Sequence, residues 1–139
     1  MSAHIAAPRE VFRFIAHFLF ILAGWTLVIK LAFPLAFALA AGEPPLTHVY
    51  WDFWWAIHIW LGWCLLSWPR YTYALALGVS VAEIVIVATK LALFLAAPEW
   101  TIWNTNWFIN KLFVAACFVL LLGTLVRDRR VSRAVTNRM

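Results

Sequence analysis

The chain of 139 residues has little charge and only two cysteines. Charged residues make up 12% of it, against about 25% in an ordinary soluble domain, while hydrophobic residues make up 65%. This composition excludes a soluble enzyme, a nucleic-acid-binding domain and a disordered tail protein. The two cysteines do not form a CxxC pair, so neither a redox centre nor a zinc–thiolate site is supported.

The motifs of common catalytic and nucleotide-binding sites are also missing from the sequence. It contains no nucleophile elbow of the GxSxG type, no phosphate-binding loop and no HExxH motif. No metal site is therefore expected. Any role has to be inferred from the topology and from the polar residues that lie within apolar segments.

Long apolar runs dominate what is present. A membrane-spanning helix needs about 20 predominantly apolar residues. Four apolar stretches, which include runs of about this length, lie at about 14–41, 52–68, 72–97 and 107–126. The turns between them are short and contain glycine or proline, which makes sequential helices antiparallel. The sequence predicts an all-α membrane protein, an up-down four-helix transmembrane bundle that forms a single domain over residues 1–139.

The distribution of arginine predicts the orientation of this bundle. All eight arginines fall on one side of it: Arg9, Arg13, Arg70, Arg127, Arg129, Arg130, Arg133 and Arg138. The two opposite loops contain no lysine or arginine but contain Glu43 and Glu99. By the positive-inside rule, both termini of this multi-pass protein are expected in the cytoplasm. The net charge of +5 therefore indicates contact with anionic lipid headgroups and not with nucleic acid.

The first apolar stretch is expected to be a retained span. Ala38-Leu39-Ala40 resembles a signal-peptide cleavage site, but the apolar run before it exceeds the usual length of about 7–15 residues and contains Lys30. Pro34 is expected to kink its outer part.

Several ionisable side chains lie inside the predicted spans, where they are costly and usually face a protein interior or a water-filled cavity. Spacing of three and four residues places Ala76, Ser80, Glu83, Val87 and Lys90 on one face of the third helix. Lys111 lies nearer the outer end of the fourth helix, where its side chain is expected to reach water.

Every helix can thus contribute a polar group to the outer half of the bundle. The candidate ligand-binding residues are Lys30, Asp52, Trp55, His58, Glu83, Lys90, Asn110 and Lys111. One interpretation is an internal ion-pair network in which Glu83 holds Lys30 or Lys90. That network leaves one lysine without a partner. In the other interpretation, an anionic or electron-rich group pairs with this lysine: a ligand headgroup, a quinone carbonyl or an acid on another subunit.

A haem held by two histidines is disfavoured. His17 lies near the cytoplasmic edge and His58 in the outer half, more than about 20 Å apart at 1.5 Å per residue. Ligation of a chlorin by His58 alone is a weaker alternative, and the sequence names no other cofactor. The aromatic residues that crowd the outer ends of the second and fourth helices predict a roof over the polar cavity or a docking surface.

Three functions follow from these features. The leading hypothesis is a non-catalytic integral membrane subunit or binding module, which engages a larger membrane partner or a lipid-like or anionic ligand through the polar outer-half cavity. The first alternative is a small transporter of an anionic or amphipathic solute that forms a homodimer, with Gly78 and Ala82 at its interface. The second alternative is an intramembrane enzyme for an isoprenoid, sterol-like or quinone substrate, with Glu83 and His58 as its acid–base pair.

Overall fold

The computed structural model describes residues 3–127, and this part of the chain is helical and contains no β-strand. The first helix, α1, is continued by a π-helical turn and then by α2. The elements are α1 (Ala3–Leu27), the π turn (Val28–Ala32), α2 (Phe33–Ala41), α3 (Trp54–Ser67), α4 (Thr72–Ala96) and α5 (Ile102–Arg127). The prediction of an all-α protein is confirmed.

Three helical segments are long and apolar enough to cross a membrane: Arg9–Ala41, Thr72–Ala96 and Ile102–Arg127. Helix α3 is shorter, with 14 residues. It measures about 21 Å at 1.5 Å per residue, against a hydrocarbon thickness of about 30 Å. The second predicted span, 52–68, is therefore only partly helical, because residues 49–53 adopt no regular structure.

Local signals determine where α2 ends and where α5 begins. Gly42 follows α2 in the left-handed conformation with φ 71°, and the N–H of Glu43 donates to the carbonyl of Ala38 at 2.9 Å. Helix α5 begins at Ile102 and not near the expected 107, because the hydroxyl of Thr101 accepts the N–H of Asn104 at 3.1 Å and caps the helix start.

Pro34 explains the π turn between α1 and α2. Because proline has no N–H, the carbonyl four residues earlier, that of Lys30, loses its helical donor. The N–H of Tyr50 in the following loop occupies that carbonyl at 3.1 Å, and the N–H of Phe33 donates to Val28, five residues back. The π turn is a helix type that often marks functional sites, and the kink expected at Pro34 stays a prediction.

Segment 52–68 runs antiparallel to α1 and the π turn. At one end the rings of Phe12 and Trp68 lie 5.1 Å apart, edge to face. At the other end the ammonium of Lys30 contacts the carboxylate of Asp52. Phe12 and Lys30 are separated by about 27 Å along the helix at 1.5 Å per residue, so 52–68 follows α1 over nearly a full hydrocarbon thickness.

Helix α5 packs against both α1 and α4, and α3 packs against α1 and α4. The apolar core is continuous among these helices, and its largest fully buried side chains include Ile15, Leu19, Leu61, Leu65, Val87, Val114, Phe118, Leu121 and Leu125. The arginines at 9, 13, 70 and 127 are exposed near the helix ends on one side. Arg129, Arg130, Arg133 and Arg138 lie outside the described residues, so the orientation of the termini stays a prediction.

Candidate functional site

Four polar residues from the π turn, the segment before α3 and helix α5 form an outer polar cluster: Lys30, Asp52, Asn110 and Lys111. Lys30 donates from Nζ to Oδ2 of Asp52. The other carboxylate oxygen, Oδ1, accepts the N–H of Trp54 at 2.9 Å. Asp52 therefore joins the π turn to the first residue of α3, where the helix dipole favours an anion.

The environment of Asp52 favours its charged form. One carboxylate oxygen accepts from the Lys30 ammonium and the other from the Trp54 amide, and hydrogen bonds to the carboxylate favour it over the protonated acid. The Lys30–Asp52 pair therefore contributes one positive and one negative charge to the cluster.

Asn110 is buried and donates from Nδ2 to the hydroxyl of Thr26, at 3.1 Å. Thr26 belongs to the cluster's surroundings and was not among the residues predicted from the sequence. The sequence could have identified Thr26, because it lies four residues before Lys30 and therefore on the same helical face. The bond ties α1 to α5 directly below the π turn.

Lys111 is 6% exposed and has no hydrogen bond or ion pair with any residue in the described part of the chain. It lies within electrostatic range of Lys30, Asp52, Glu83 and Lys90. The expectation that the Lys111 ammonium reaches outer water stays a prediction: the residue as a whole is buried, but its Nζ is not among the fully buried polar atoms that lack a partner. The sequence predicted that one lysine would lack a carboxylate partner, and among the buried lysines of the described chain this residue is Lys111.

A cavity of about 20 Å³ adjoins Lys30. A volume of this size admits one water-sized group. Its lining combines polar and aromatic residues: Ile29, Lys30, Tyr50, Trp103, Asn106 and Trp107. Tryptophans at the start of α5 therefore border the outer polar cluster, in the position where the sequence predicted an aromatic roof.

His58 and Glu83 form a second polar site, which we call the inner pair. Nε2 of His58 lies 2.7 Å from Oε1 of Glu83, and each residue is 2% exposed. The predicted contact of Glu83 with Lys30 or Lys90 is wrong, since Lys30 binds Asp52 instead. His58 and Glu83, which were expected at different depths, therefore lie side by side.

The inner pair leaves two buried polar atoms without hydrogen-bond partners in the described chain: Nδ1 of His58 and Oγ of Ser80. Ser80 lies one turn before Glu83 on α4. Unpartnered buried polar atoms are uncommon and mark places where a further group can bind.

The predicted inner face of α4 is confirmed over most of its length. Ala76, Ser80, Glu83 and Val87 are buried, whereas Lys90 is exposed. The expectation that Lys90 faces the interior is wrong, because the packed face of α4 continues from Val87 to Leu91 and Phe94, which contacts Phe108 of α5, and this face leaves Lys90 on the outside.

Trp55 is only half-buried. It lines an open apolar groove of about 430 Å³ on the outside of α1 and α3, with Phe20, Ala56, Ile59, Trp60 and Trp63. Its placement in the polar site is therefore not supported. This groove lies on the surface that would face lipid.

The two histidines considered for haem occupy different environments. His17 is exposed, and its Nδ1 lies 2.7 Å from the carbonyl oxygen of Arg13, while His58 is buried against Glu83. Among residues 3–127, no group of three histidine, cysteine, aspartate or glutamate side chains is placed to hold a metal ion.

No family model, no curated protein and no solved structure matches the chain.

Proposed function

We propose that this protein is a non-catalytic, membrane-embedded binding module for an amphiphile with an anionic headgroup, which Lys111 binds at the outer polar cluster. One observation carries the proposal: Lys111 is 6% exposed yet has no hydrogen-bonding or ion-pairing partner among the described residues. An ammonium group in such a place loses most of its hydration and gains no counter-charge in direct contact with it, which is costly. An anionic headgroup supplies that counter-charge.

The charges around Lys111 favour an external anion. Asp52 is already engaged by Lys30, and Glu83 is engaged by His58. Glu83 lies level with His58, whose ring is 5.4 Å from that of Phe118. Phe118 is about 10 Å farther along α5 than Lys111 at 1.5 Å per residue. Neither carboxylate therefore forms a direct ion pair with Lys111.

The surroundings of the cluster favour an amphiphile over a free anion. Trp103 and Trp107 border the cavity beside Lys30, and indole rings suit the boundary between headgroups and acyl chains. Outward-facing side chains on the same helix, such as Ile109 and Leu112, are exposed and apolar. Because the cavity of about 20 Å³ admits only a water-sized group, the proposal has the headgroup enter between these tryptophans and the cluster, with its chain along α5.

The proposal includes the topology. Three helical segments are long enough to cross a membrane, and segment 52–68 follows α1 over about 27 Å at 1.5 Å per residue. We infer that this segment is the fourth span of an up-down bundle, completed by its irregular first residues beside Asp52. Irregular backbone is tolerated at membrane depth where protein covers it. The exposed arginines at one end of the helices support a cytoplasmic location for both termini.

A partner is also part of the proposal. Only 17% of the apolar window of α4 is buried, against 39% in each of the other two long segments. No atom lies within 4 Å of a Cβ built on Gly78, so another helix can approach α4 closely there. A larger membrane protein or a second copy of this chain fits that face. Native mass spectrometry after mild extraction distinguishes the two, and a strictly monomeric particle contradicts both.

Binding of decyl sulfonate to the protein in phosphatidylcholine nanodiscs tests the ligand class. We expect wild type to bind and Lys111→Met to lose about tenfold or more in affinity, the value of a charged hydrogen bond. Lys90→Met is the matched control, because Lys90 is an exposed lysine near the same end of the helices. Equal binding by all three proteins, or none by wild type beyond empty nanodiscs, contradicts the proposal.

Transport of the same anion is a second candidate, favoured by the presence of polar groups at two depths. The inner pair lies about 16 Å from the start of α4 at 1.5 Å per residue, and the outer polar cluster lies beyond it. Sulfonate flux into proteoliposomes that Lys111→Met abolishes supports transport. Binding without flux contradicts transport and supports the binding module.

A further inference from the structure

The inner pair lies at the middle of the helices, away from the outer polar cluster. Nε2 of His58 and Oε1 of Glu83 are 2.7 Å apart, and both side chains are 97% or more buried. The ring of Phe118 lies 5.4 Å from that of His58 and covers it on the side of α5. A proton, unlike a ligand headgroup, needs no cavity to bind at a pair packed this closely.

The hydrogen bonding of the pair leaves a place for one proton. When Glu83 is a carboxylate and the imidazole is neutral, Nε2–H donates to Oε1 and Nδ1 keeps a free lone pair. Nδ1 has no hydrogen-bond partner among the described residues, and neither has Oγ of Ser80 one turn away. The pair can therefore exist with a net charge of −1 or of zero while the 2.7 Å contact persists.

The charges on the surrounding elements single out Lys111 as the group that balances the pair. Lys30 on the π turn is matched by Asp52, Lys90 on α4 is exposed, and His17 on α1 is exposed. The titratable groups that remain buried around the pair are Cys64 on α3 and Cys117 and Lys111 on α5. Of these, Lys111 is the cation, and it interacts electrostatically with Glu83.

We propose that binding of the anionic headgroup at Lys111 is accompanied by uptake of one proton by the His58–Glu83 pair. This inference rests on the proposed function. Without ligand, the positive charge of Lys111 balances the negative charge of the pair. When the anion neutralises Lys111, the pair takes a proton from water, a new N–H or O–H bond forms, and the buried region is again neutral.

The size of the coupling follows from the separation. Lys111 and Phe118, which marks the depth of the pair, are about 10 Å apart along α5 at 1.5 Å per residue. At an effective dielectric constant of about 20, a unit charge at this distance changes the proton affinity of the pair by about tenfold. By linkage, protonation of the pair strengthens anion binding by the same factor.

Calorimetric titration of decyl sulfonate into protein in phosphatidylcholine nanodiscs tests this coupling. The sulfonate does not titrate near neutral pH, so protons released or taken up belong to the protein. Repeating the titration in two buffers with different ionisation enthalpies gives the number of protons. We expect uptake of up to one proton per bound sulfonate and an affinity that falls as pH rises, by at most about tenfold per pH unit.

Glu83→Gln separates the coupling from the binding, because the amide keeps a hydrogen bond to His58 but cannot exchange a proton. We expect this variant to bind sulfonate with no proton uptake and no dependence on pH. Because His58 keeps a free lone pair in this variant, the double variant Glu83→Gln, His58→Asn is decisive: proton uptake that persists in it overturns the inference, because the proton then binds outside the pair. If the variant does not fold, isotope-edited infrared or nitrogen NMR spectra of wild type report protonation of Glu83 or His58 on adding sulfonate, and unchanged spectra overturn the inference.

Failure of the inference and failure of the proposed function give different results. Sulfonate binding by wild type without proton uptake overturns the coupling and leaves the binding module intact. Absence of binding overturns both. Methanesulfonate, which lacks the alkyl chain, distinguishes the sources of the anion: equal affinity with proton uptake supports the coupling and assigns the site to a soluble anion, whereas weaker binding supports an amphiphile.

Discussion

Pro34 and Lys30 lie four residues apart, and the N–H that proline lacks is replaced at the carbonyl of Lys30 by the N–H of Tyr50, at 3.1 Å. This one hydrogen bond, from the Tyr50 amide to the Lys30 carbonyl, holds the loop before α3 against the π turn. It also brings Asp52, two residues after Tyr50, to the ammonium of Lys30. The backbone N–H that Pro34 lacks therefore helps to determine where the outer polar cluster forms.

The first prediction concerns this replaced donor. Pro34→Ala restores an N–H that competes with Tyr50 for the carbonyl of Lys30, and we expect the Tyr50 amide to exchange its hydrogen about fivefold faster, the value of one ordinary hydrogen bond. Hydrogen-exchange mass spectrometry of the peptide covering 49–53 measures this. Pro45→Ala, in the same exposed loop, is the control. Unchanged exchange at Tyr50 would show that the loop is held by other contacts.

The second prediction concerns the coupling between Lys30 and Asp52. Their side chains are only 11% and 21% exposed, so a double-mutant cycle with Lys30→Met and Asp52→Asn is expected to give an interaction free energy of about 0.5–3 kcal/mol. The exposed pair Arg13–Glu10, at 3.4 Å, is the control, with an expected value of about 0–1 kcal/mol. Equal coupling in the two cycles, measured by reversible unfolding in mixed micelles, contradicts this account.

The third prediction concerns the bond between Asp52 and the start of α3. Oδ1 of Asp52 accepts the N–H of Trp54 at 2.9 Å. Asp52→Asn keeps an oxygen that can accept this bond, whereas Asp52→Ala removes it, so we expect the alanine variant to be less stable than the asparagine variant by about 0.5–1.5 kcal/mol, the value of one hydrogen bond. Reversible unfolding in mixed micelles measures the difference, and equal stability of the two variants would refute the assignment.

The fourth prediction concerns the contact of α1 with α3 at Gly62. A Cβ at this position would lie 2.9 Å from Cε1 of Phe20 and 3.2 Å from the carbonyl oxygen of Ala16. The backbone oxygen cannot swing away, so Gly62→Ala is expected to destabilise the protein by about 1–3 kcal/mol. Gly78→Ala is the control, since no atom lies within 4 Å of its Cβ. A neutral Gly62→Ala would mean that the helices approach less closely than described.

The fifth prediction contrasts the two buried charges. Glu83→Ala removes the partner of His58 and is expected to destabilise the protein by about 3 kcal/mol, the lower value for breaking a buried pair. Lys111→Met removes an unpaired ammonium and is expected to leave the unfolding free energy unchanged or to raise it. Unfolding of both variants without added ligand decides the order. A large loss in Lys111→Met would reveal a stabilising role for this lysine in the folded chain.

The helices and their ends were largely predictable because the signals are local. Apolar runs, prolines and glycines lie next to the residues they affect, and α4 runs over Thr72–Ala96, within one residue of its expected 72–97. The buried face of α4 followed from spacing along one helix. Local reasoning failed at the start of α5, where Thr101 caps residues that read as a polar loop.

The pairing of the polar residues was decided only by the tertiary structure. Glu83 meets His58 and not a lysine, Asn110 meets Thr26, and Lys111 is covered. Each of these contacts depends on the relative depth and rotation of two helices. A shift of one residue moves a side chain by about 1.5 Å along the axis and about 100° around it. Sequence spacing within one helix contains no information on that relative placement, so it identified the polar residues but not their partners.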